Sequence, residues 1–199
     1  MKSNICKIEN GTKDLAAILK ESERVAEYNG LTHKQSLQLR LLCEEVDGML
    51  PNIIEDFAGE LWIDFEDGLC KVNVSIKIPE FNSAKKEDLI GISKDKKNAA
   101  AVGVVGKIRN AIENFFLDEN SMSVYDSSAA SFHLSTGYSE GVDYSYLWSL
   151  EQYRKLLKPE EQTEEWDELE KSVIASVADD VIVGIKGKQA DIIIVKKFS

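Results

Sequence analysis

Hydrophobic positions between residues 32 and 51 recur at the three- and four-residue spacing of an amphipathic helix. Thr32 is followed by Gln35, and this capping-box spacing lets each side chain satisfy a backbone N–H of the first turn. Gly30, just upstream, suits the left-handed conformation that ends a preceding helix. We expect the helix to close at Gly48 and Pro51, because proline lacks the N–H that a continuing helix needs. The apolar positions are Leu37, Leu39, Leu41, Leu42, Val46, Met49 and Leu50.

Two stretches that alternate between apolar and polar residues follow this helix directly, at 61–65 and 71–76. They flank the dipeptide Asp67-Gly68, which is a strong hairpin signal because both residues tolerate a positive φ. A second pair of apolar stretches, at 181–185 and 192–195, surrounds Gly187. The pattern therefore predicts two hairpins, one in the first half of the chain and one near its end.

The remaining apolar patterns predict a short strand at 4–8, a helix at 12–28 and a helix at 164–178. The order is strand, helix, helix, hairpin, mixed segment, helix, hairpin. That order predicts an α+β fold, a two-layer sandwich of helices on a mixed, largely antiparallel sheet.

With 199 residues the chain is long enough for one sizeable core, and no linker divides it. We expect a single domain over 1–199, with a core at 1–116 and 160–199 and an insertion at 117–159. The insertion carries a Ser-rich stretch and then an aromatic-rich amphipathic helix at about 144–157. Its aromatic stripe either packs on the parent domain or binds a partner.

The order of elements and the residues within them resemble the GHKL superfamily of histidine-kinase-like ATPases, most closely its anti-sigma-factor serine kinases. The similarity lies in the helix pair at 15–50, the hairpin at 61–76 and the closing segment at 176–197, about half of the chain. It implies the Bergerat fold, with ATP and Mg²⁺ as cofactors if the site functions. It also implies a role in signal transduction.

In that family the second helix supplies a catalytic glutamate and, four residues later, an asparagine that helps to hold Mg²⁺. The matching positions here are Glu44 and Gly48, and glycine has no side chain to offer a metal. Asp47 or Asn52 could substitute from a shifted position, although Asn52 lies beyond Pro51 and its place on the shared face stays open. The adenine-binding loop of the family corresponds to 76–81, which contains neither aspartate nor glycine. The resemblance therefore implies a degenerate nucleotide site, with Glu44 as its catalytic candidate.

A phosphate site of the family would lie at the N-terminus of the next helix, where backbone N–H groups favour anions. Lys97, Asn98, Gly103, Gly106 and Lys107 form one candidate for it. The helix at 164–178 is the other, and its start is acidic and free of glycine. The two glycines also fit a plain packing role, because small residues allow helices to approach closely.

The formal net charge of −11 disfavours nucleic acid and anionic membranes as partners and suits a basic protein surface. No apolar run is long enough to cross a bilayer and no signal-peptide core follows the start, so we expect a cytoplasmic protein. Cys6, Cys43 and Cys70 lie in apolar-patterned segments, so we expect buried free thiols. Their spacing does not indicate a metal site. We expect His33 and His133 to lie at the surface.

Three functions remain open at this point, and whether the protein is an enzyme is open with them. The first is a regulatory or protein-interaction module that has lost ATP hydrolysis. The second is a divergent ATP-binding protein or an anti-sigma-type serine/threonine kinase, with Glu44 as the base and residues 94–109 as a phosphate lid. The third is a binder of another small ligand in a cleft lined by Pro79 and Phe81.

Overall fold

The described chain builds one six-stranded sheet with helices packed against it. A computed structural model describes residues 1–9, 15–54, 57–78, 103–117, 146–156 and 172–198. The strands are β1 (Cys6–Glu9), β2 (Ala58–Glu66), β3 (Leu69–Lys77), β4 (Tyr146–Ser149), β5 (Asp180–Lys186) and β6 (Gln189–Lys197). The helices are α1 (Leu15–Tyr28), α2 (His33–Ile53), α3 (Gly103–Leu117), α4 (Leu150–Leu156) and α5 (Val173–Val177).

The strand order across the sheet is β1-β2-β3-β6-β5-β4, and every described neighbour pair is antiparallel. The closing hairpin β5–β6 therefore lies between β3 and β4, and β1 and β4 form the two edges. The predicted α+β class is confirmed. The sheet was expected to be mixed, and within the described residues it is antiparallel throughout.

The turn between α1 and α2 forms as the sequence predicts. Gly30 has a φ of +65°, in the left-handed region. The Thr32 side chain accepts a hydrogen bond from the Gln35 N–H, and the Gln35 side chain accepts one from the Thr32 N–H, which completes the capping box. The predicted end of α2 at Gly48 and Pro51 is wrong, because the helix continues to Ile53. Pro51 lies in the last turn, where it removes only its own N–H from the ladder.

The first predicted hairpin is also confirmed. Asp67 and Gly68 both have positive φ, at +49° and +79°, as a tight two-residue turn requires. The C-terminal end of the described chain closes over this turn: the Phe198 N–H donates to the Gly68 carbonyl at 2.7 Å. The ring of Phe198 stacks on Phe65, with ring centroids 6.2 Å apart. The last strand is therefore joined to the first hairpin in two ways. β6 pairs with β3 along its length, and Phe198 contacts the turn just after β6 ends.

Two predictions in the C-terminal part of the chain are corrected. The helix predicted at 164–178 does not run through Ser172, which has an extended backbone and caps the short helix α5 by accepting from the Ala175 N–H. The helix predicted at 144–157 begins only at Leu150, because residues 146–149 form the edge strand β4 instead. Two aromatic side chains of this segment, Trp148 and Tyr153, pack partly buried against the core.

The main core lies between the helices and one face of the sheet. Inward residues alternate along the strands, as Ile63, Val72 and Ile192 do. Cys6, Cys43 and Cys70 are free thiols buried in this core, as predicted. A smaller apolar cluster, built on Ile182 and Val195, lies on the opposite face of the sheet. None of the helices in the described part of the chain is long and apolar enough to span a membrane.

The segment before β1 is held to α1 by Glu21, which is buried. The carboxylate of Glu21 accepts from the backbone N–H and the side-chain amide of Asn4, each at 2.9 Å, and from Arg24 at 2.7 Å. Burial acts to raise the pKa of Glu21, but these donors outweigh it and hold the pKa below its usual value. The edge of the sheet is therefore fastened to the helical layer by a charged group.

Candidate functional site

Four of the predicted site residues lie together on the second half of α2. Glu44, Gly48 and Asn52 follow one another at four-residue intervals and so share one face of the helix. The Asn52 side-chain amide donates to the Gly48 carbonyl at 3.1 Å. Asn52 stays on this face beyond Pro51, because the proline does not end the helix. Asp47 is half-buried on an adjacent flank.

Glu44 is engaged by a cation from its own helix. Arg40 Nε donates to Glu44 Oε1 at 3.1 Å, and Arg40 Nη1 donates to Glu23 Oε1 of α1 at 2.7 Å. The arginine therefore bridges two acidic side chains on neighbouring helices. Arg40 was overlooked as a site residue, although its four-residue spacing from Glu44 is an ion-pair signal. The catalytic candidate is thus a partner in a surface network, with 38% of its side chain exposed.

The position that the resemblance assigns to a metal ligand is exposed. A Cβ built at Gly48 would meet no atom of the described residues within 4 Å. A side chain could therefore be added without a clash. Within the described residues no group of three or more histidine, cysteine, aspartate or glutamate side chains could hold a metal ion.

The predicted phosphate segment begins a helix that packs against α2 and β5. Gly103 opens α3 with a φ of +77°, which a glycine adopts at no steric cost. Val104, Gly106 and Ile108 are buried. Lys107 lies over the ring of Tyr153, with its Nζ 4.9 Å from the centroid.

Several predicted residues lie outside the described part of the chain. They are Lys97 and Asn98 of the phosphate segment, Pro79 and Phe81 of the proposed cleft, and His133. His33, in contrast, is described at the start of α2 and is exposed, as predicted. The nucleotide-site candidates that can be placed therefore lie on α2 and at the start of α3.

The strongest polar cluster in the described structure was not predicted. Asp180 is 4% exposed, and its carboxylate accepts from the Ser149 hydroxyl at 3.0 Å, the Glu151 N–H at 2.9 Å and the Val181 N–H at 2.8 Å. Burial raises the pKa of Asp180, although these hydrogen bonds act in the opposite direction. Ser149 also accepts from the Gln152 N–H, so the pair caps α4.

The Asp180 cluster has a structural role. Ser149 is 2% exposed, and the Asp180 carboxylate joins β5 to the junction of β4 and α4. No short-range pattern signals it, because Ser149 and Asp180 are far apart in the sequence.

Comparisons with protein-family models, with curated proteins and with solved structures find no match to this chain.

Proposed function

We propose that this protein is a GHKL-like regulatory or protein-interaction module whose nucleotide site is degenerate. The observation that carries the proposal is Gly48, which stands on an exposed face four residues after Glu44 and offers no ligand atom. The helix pair followed at once by a hairpin, with a closing hairpin beside it in the sheet, supports the GHKL-like fold. The cytoplasm is the compartment that suits such a regulator.

The chemistry of the α2 face supports the loss of nucleotide binding. Mg²⁺ requires several oxygen ligands at short distance, and the family takes one of them from the position of Gly48. Asn52 is one turn further along, and its amide already donates to the Gly48 carbonyl. Glu44 accepts from Arg40, so a substrate or a water would have to compete with that ion pair.

A ligand titration tests the proposal directly. Thermal unfolding is measured with and without millimolar Mg²⁺-ATP or Mg²⁺-ADP, followed by calorimetry, on the natural chain and on Gly48→Asn and Gly48→Ala. A ligand at about a hundred times its Kd adds roughly 2.7 kcal/mol to the free energy of unfolding. We expect no nucleotide-dependent shift in the natural chain. Gly48→Ala is the matched control, because it changes the backbone preference without adding a ligand atom.

The contrary result is a midpoint shift in the natural chain that Glu44→Ala abolishes. It would establish the second candidate, a divergent ATP-binding protein or an anti-sigma-type serine/threonine kinase. The left-handed Gly103 at the start of a long helix favours that candidate, because a helix N-terminus attracts phosphate. If nucleotide binds but only Gly103→Ala weakens it, the site lies on α3 and the role of α2 is rejected.

A further inference from the structure

The solvent side of α2 carries apolar residues where an isolated helix would present polar ones. Leu37 is 51% exposed, and Leu41 follows it one turn later, half-buried. Glu45 and Gly48 follow on the same side of the helix, four and seven residues after Leu41. These four residues, Leu37, Leu41, Glu45 and Gly48, are called the α2 outer face below.

An exposed aromatic residue lies at the same end of the helix pair as Leu37. Tyr28, the last residue of α1, is 75% exposed and is separated from α2 only by the short turn through Gly30. Tyr28 and Leu37 are two of the three large hydrophobic residues that the described structure leaves exposed, the third being Ile5. Exposed tyrosine and leucine side chains in one region are typical of interaction surfaces.

The shape of the α2 outer face suits a helix. Gly48 presents bare backbone, and no atom of the described part of the chain lies within 4 Å of the position of a Cβ. A second helix can approach closely at such a point, because no side chain separates the two backbones. Leu41 and Leu37, about two and three turns further towards the N-terminus, would then contact apolar side chains on the same approaching helix.

The net negative charge of the chain favours an approaching helix that is positively charged. Glu45 has no ion-pair partner among the described residues, whereas Glu44 is already paired with Arg40. The chain as a whole carries a net charge of −11. A second copy of this chain would bring a like charge to the surface, which disfavours self-association, and a basic segment would be attracted.

We propose that the α2 outer face is the docking surface for a basic amphipathic helix of a partner protein. The proposal rests on the interaction role proposed above and names the class of partner. The leucines of this face contact the apolar side of the incoming helix, and Glu45 pairs with a lysine or arginine at its edge.

The test uses a defined probe. It is a synthetic peptide of lysine, leucine and alanine, about four helical turns long, with leucines at i, i+3, i+4 and i+7 so that they share one side. The control peptide has the same composition in an order that scatters the leucines. Amide chemical shifts of the isotope-labelled full chain locate the binding, and fluorescence titration gives the Kd.

We expect the patterned peptide to shift the amides of Tyr28 and the α2 outer face and the scrambled peptide to bind more weakly. Leu37→Ser should weaken binding about tenfold, whereas Ile5→Ser, at an equally exposed residue, should not. Glu45→Lys should weaken binding more than Glu66→Lys, which changes the net charge by the same amount.

Three results of the binding titrations would overturn the proposal. They are no binding of the patterned peptide at millimolar concentration, equal binding of the scrambled peptide, and equal effects within either pair of variants. Each differs from the failure of the proposed function, which would appear as nucleotide binding in the absence of any peptide. Shifts spread over the whole acidic surface also reject the α2 outer face as the site.

Discussion

At the residue scale, Gly59 and Gly48 show opposite consequences of a missing side chain. Gly59 lies in β2 opposite Ile76 of β3. A Cβ at Gly59 would overlap the Ser75 carbonyl oxygen and lie 2.8 Å from Ile76 Cγ2. Backbone atoms in a sheet cannot withdraw without breaking ladder hydrogen bonds, so glycine is required there.

We predict that Gly59→Ala lowers the free energy of unfolding by about 2–3 kcal/mol, because overpacking a sheet forces the backbone to move. Urea unfolding measures it. Gly48→Ala is the matched variant, and it should raise the free energy of unfolding by roughly 0.5–1 kcal/mol, since alanine favours a helix and meets no clash at that point. Equal effects of the two substitutions would contradict the assignment of both sites.

At the element scale, Asp180 joins β5 to the start of α4 through a buried carboxylate. Burial raises its pKa, so the native state holds this proton more tightly than the unfolded state does. The free energy of unfolding therefore falls as pH rises from the ordinary pKa of an aspartate to the raised one, and it stays lower above that range.

We predict that Asp180→Asn removes this component of the pH dependence. Urea unfolding from about pH 4 to about pH 8 compares the two proteins, and other carboxyl groups contribute equally to both. Asp180→Ala, which leaves the Glu151 and Val181 N–H groups without this acceptor, should cost about 2–4 kcal/mol at neutral pH. Identical pH profiles for the natural chain and Asp180→Asn would show that Asp180 does not titrate in this range.

The elements that the sequence predicted well are those defined by short-range chemistry. The capping box at Thr32 and the turn at Asp67 depend on residues within a few positions, and both are confirmed. The predicted helix end at Pro51 and the predicted helix over 164–178 are wrong, because the effect of Pro51 and of Ser172 depends on where each helix ends or begins. The helix predicted at 144–157 is wrong at 146–149, because the pairing of β4 with β5 is a long-range property that a local apolar pattern does not contain.

For the candidate site, the four-residue spacing predicts that Glu44 and Gly48 share one face of α2. It does not predict which side chains from other elements contact this face. The bridge from Arg40 to Glu23 joins two helices, so it follows from tertiary packing. The same holds for Lys107 over Tyr153, which lie far apart in the chain. The degenerate nucleotide site and the interaction role remain predictions.

At the scale of the whole molecule, the three thiols sit at different depths of one core. Cys43 of α2 is fully buried, Cys70 of β3 is 1% exposed, and Cys6 of the edge strand β1 is 7% exposed. Burial raises the pKa of Cys70 to about 12, and it also raises the pKa of Cys43. Neither thiol is a reactive thiolate in the native state.

We predict that alkylation of the native protein labels Cys6 first, through opening of the sheet edge, and labels Cys43 and Cys70 only on global unfolding. Mass spectrometry after timed labelling with iodoacetamide, across a series of urea concentrations, separates the three rates. Glu21→Gln should speed the labelling of Cys6 alone, because Glu21 fastens the segment before β1 to α1. Equal rates at all three thiols would mean that the edge opens only with the whole fold.

The position of β5 and β6 in the middle of the sheet bears on how the chain is made. A ribosome delivers β1, β2 and β3 early, and they can pair with one another as they emerge. β4 then emerges without a neighbour, because its partner β5 is translated after it. The sheet is joined only when the hairpin β5–β6 enters between β3 and β4, so its completion waits until β5 and β6 have been translated and depends on contacts between distant parts of the chain.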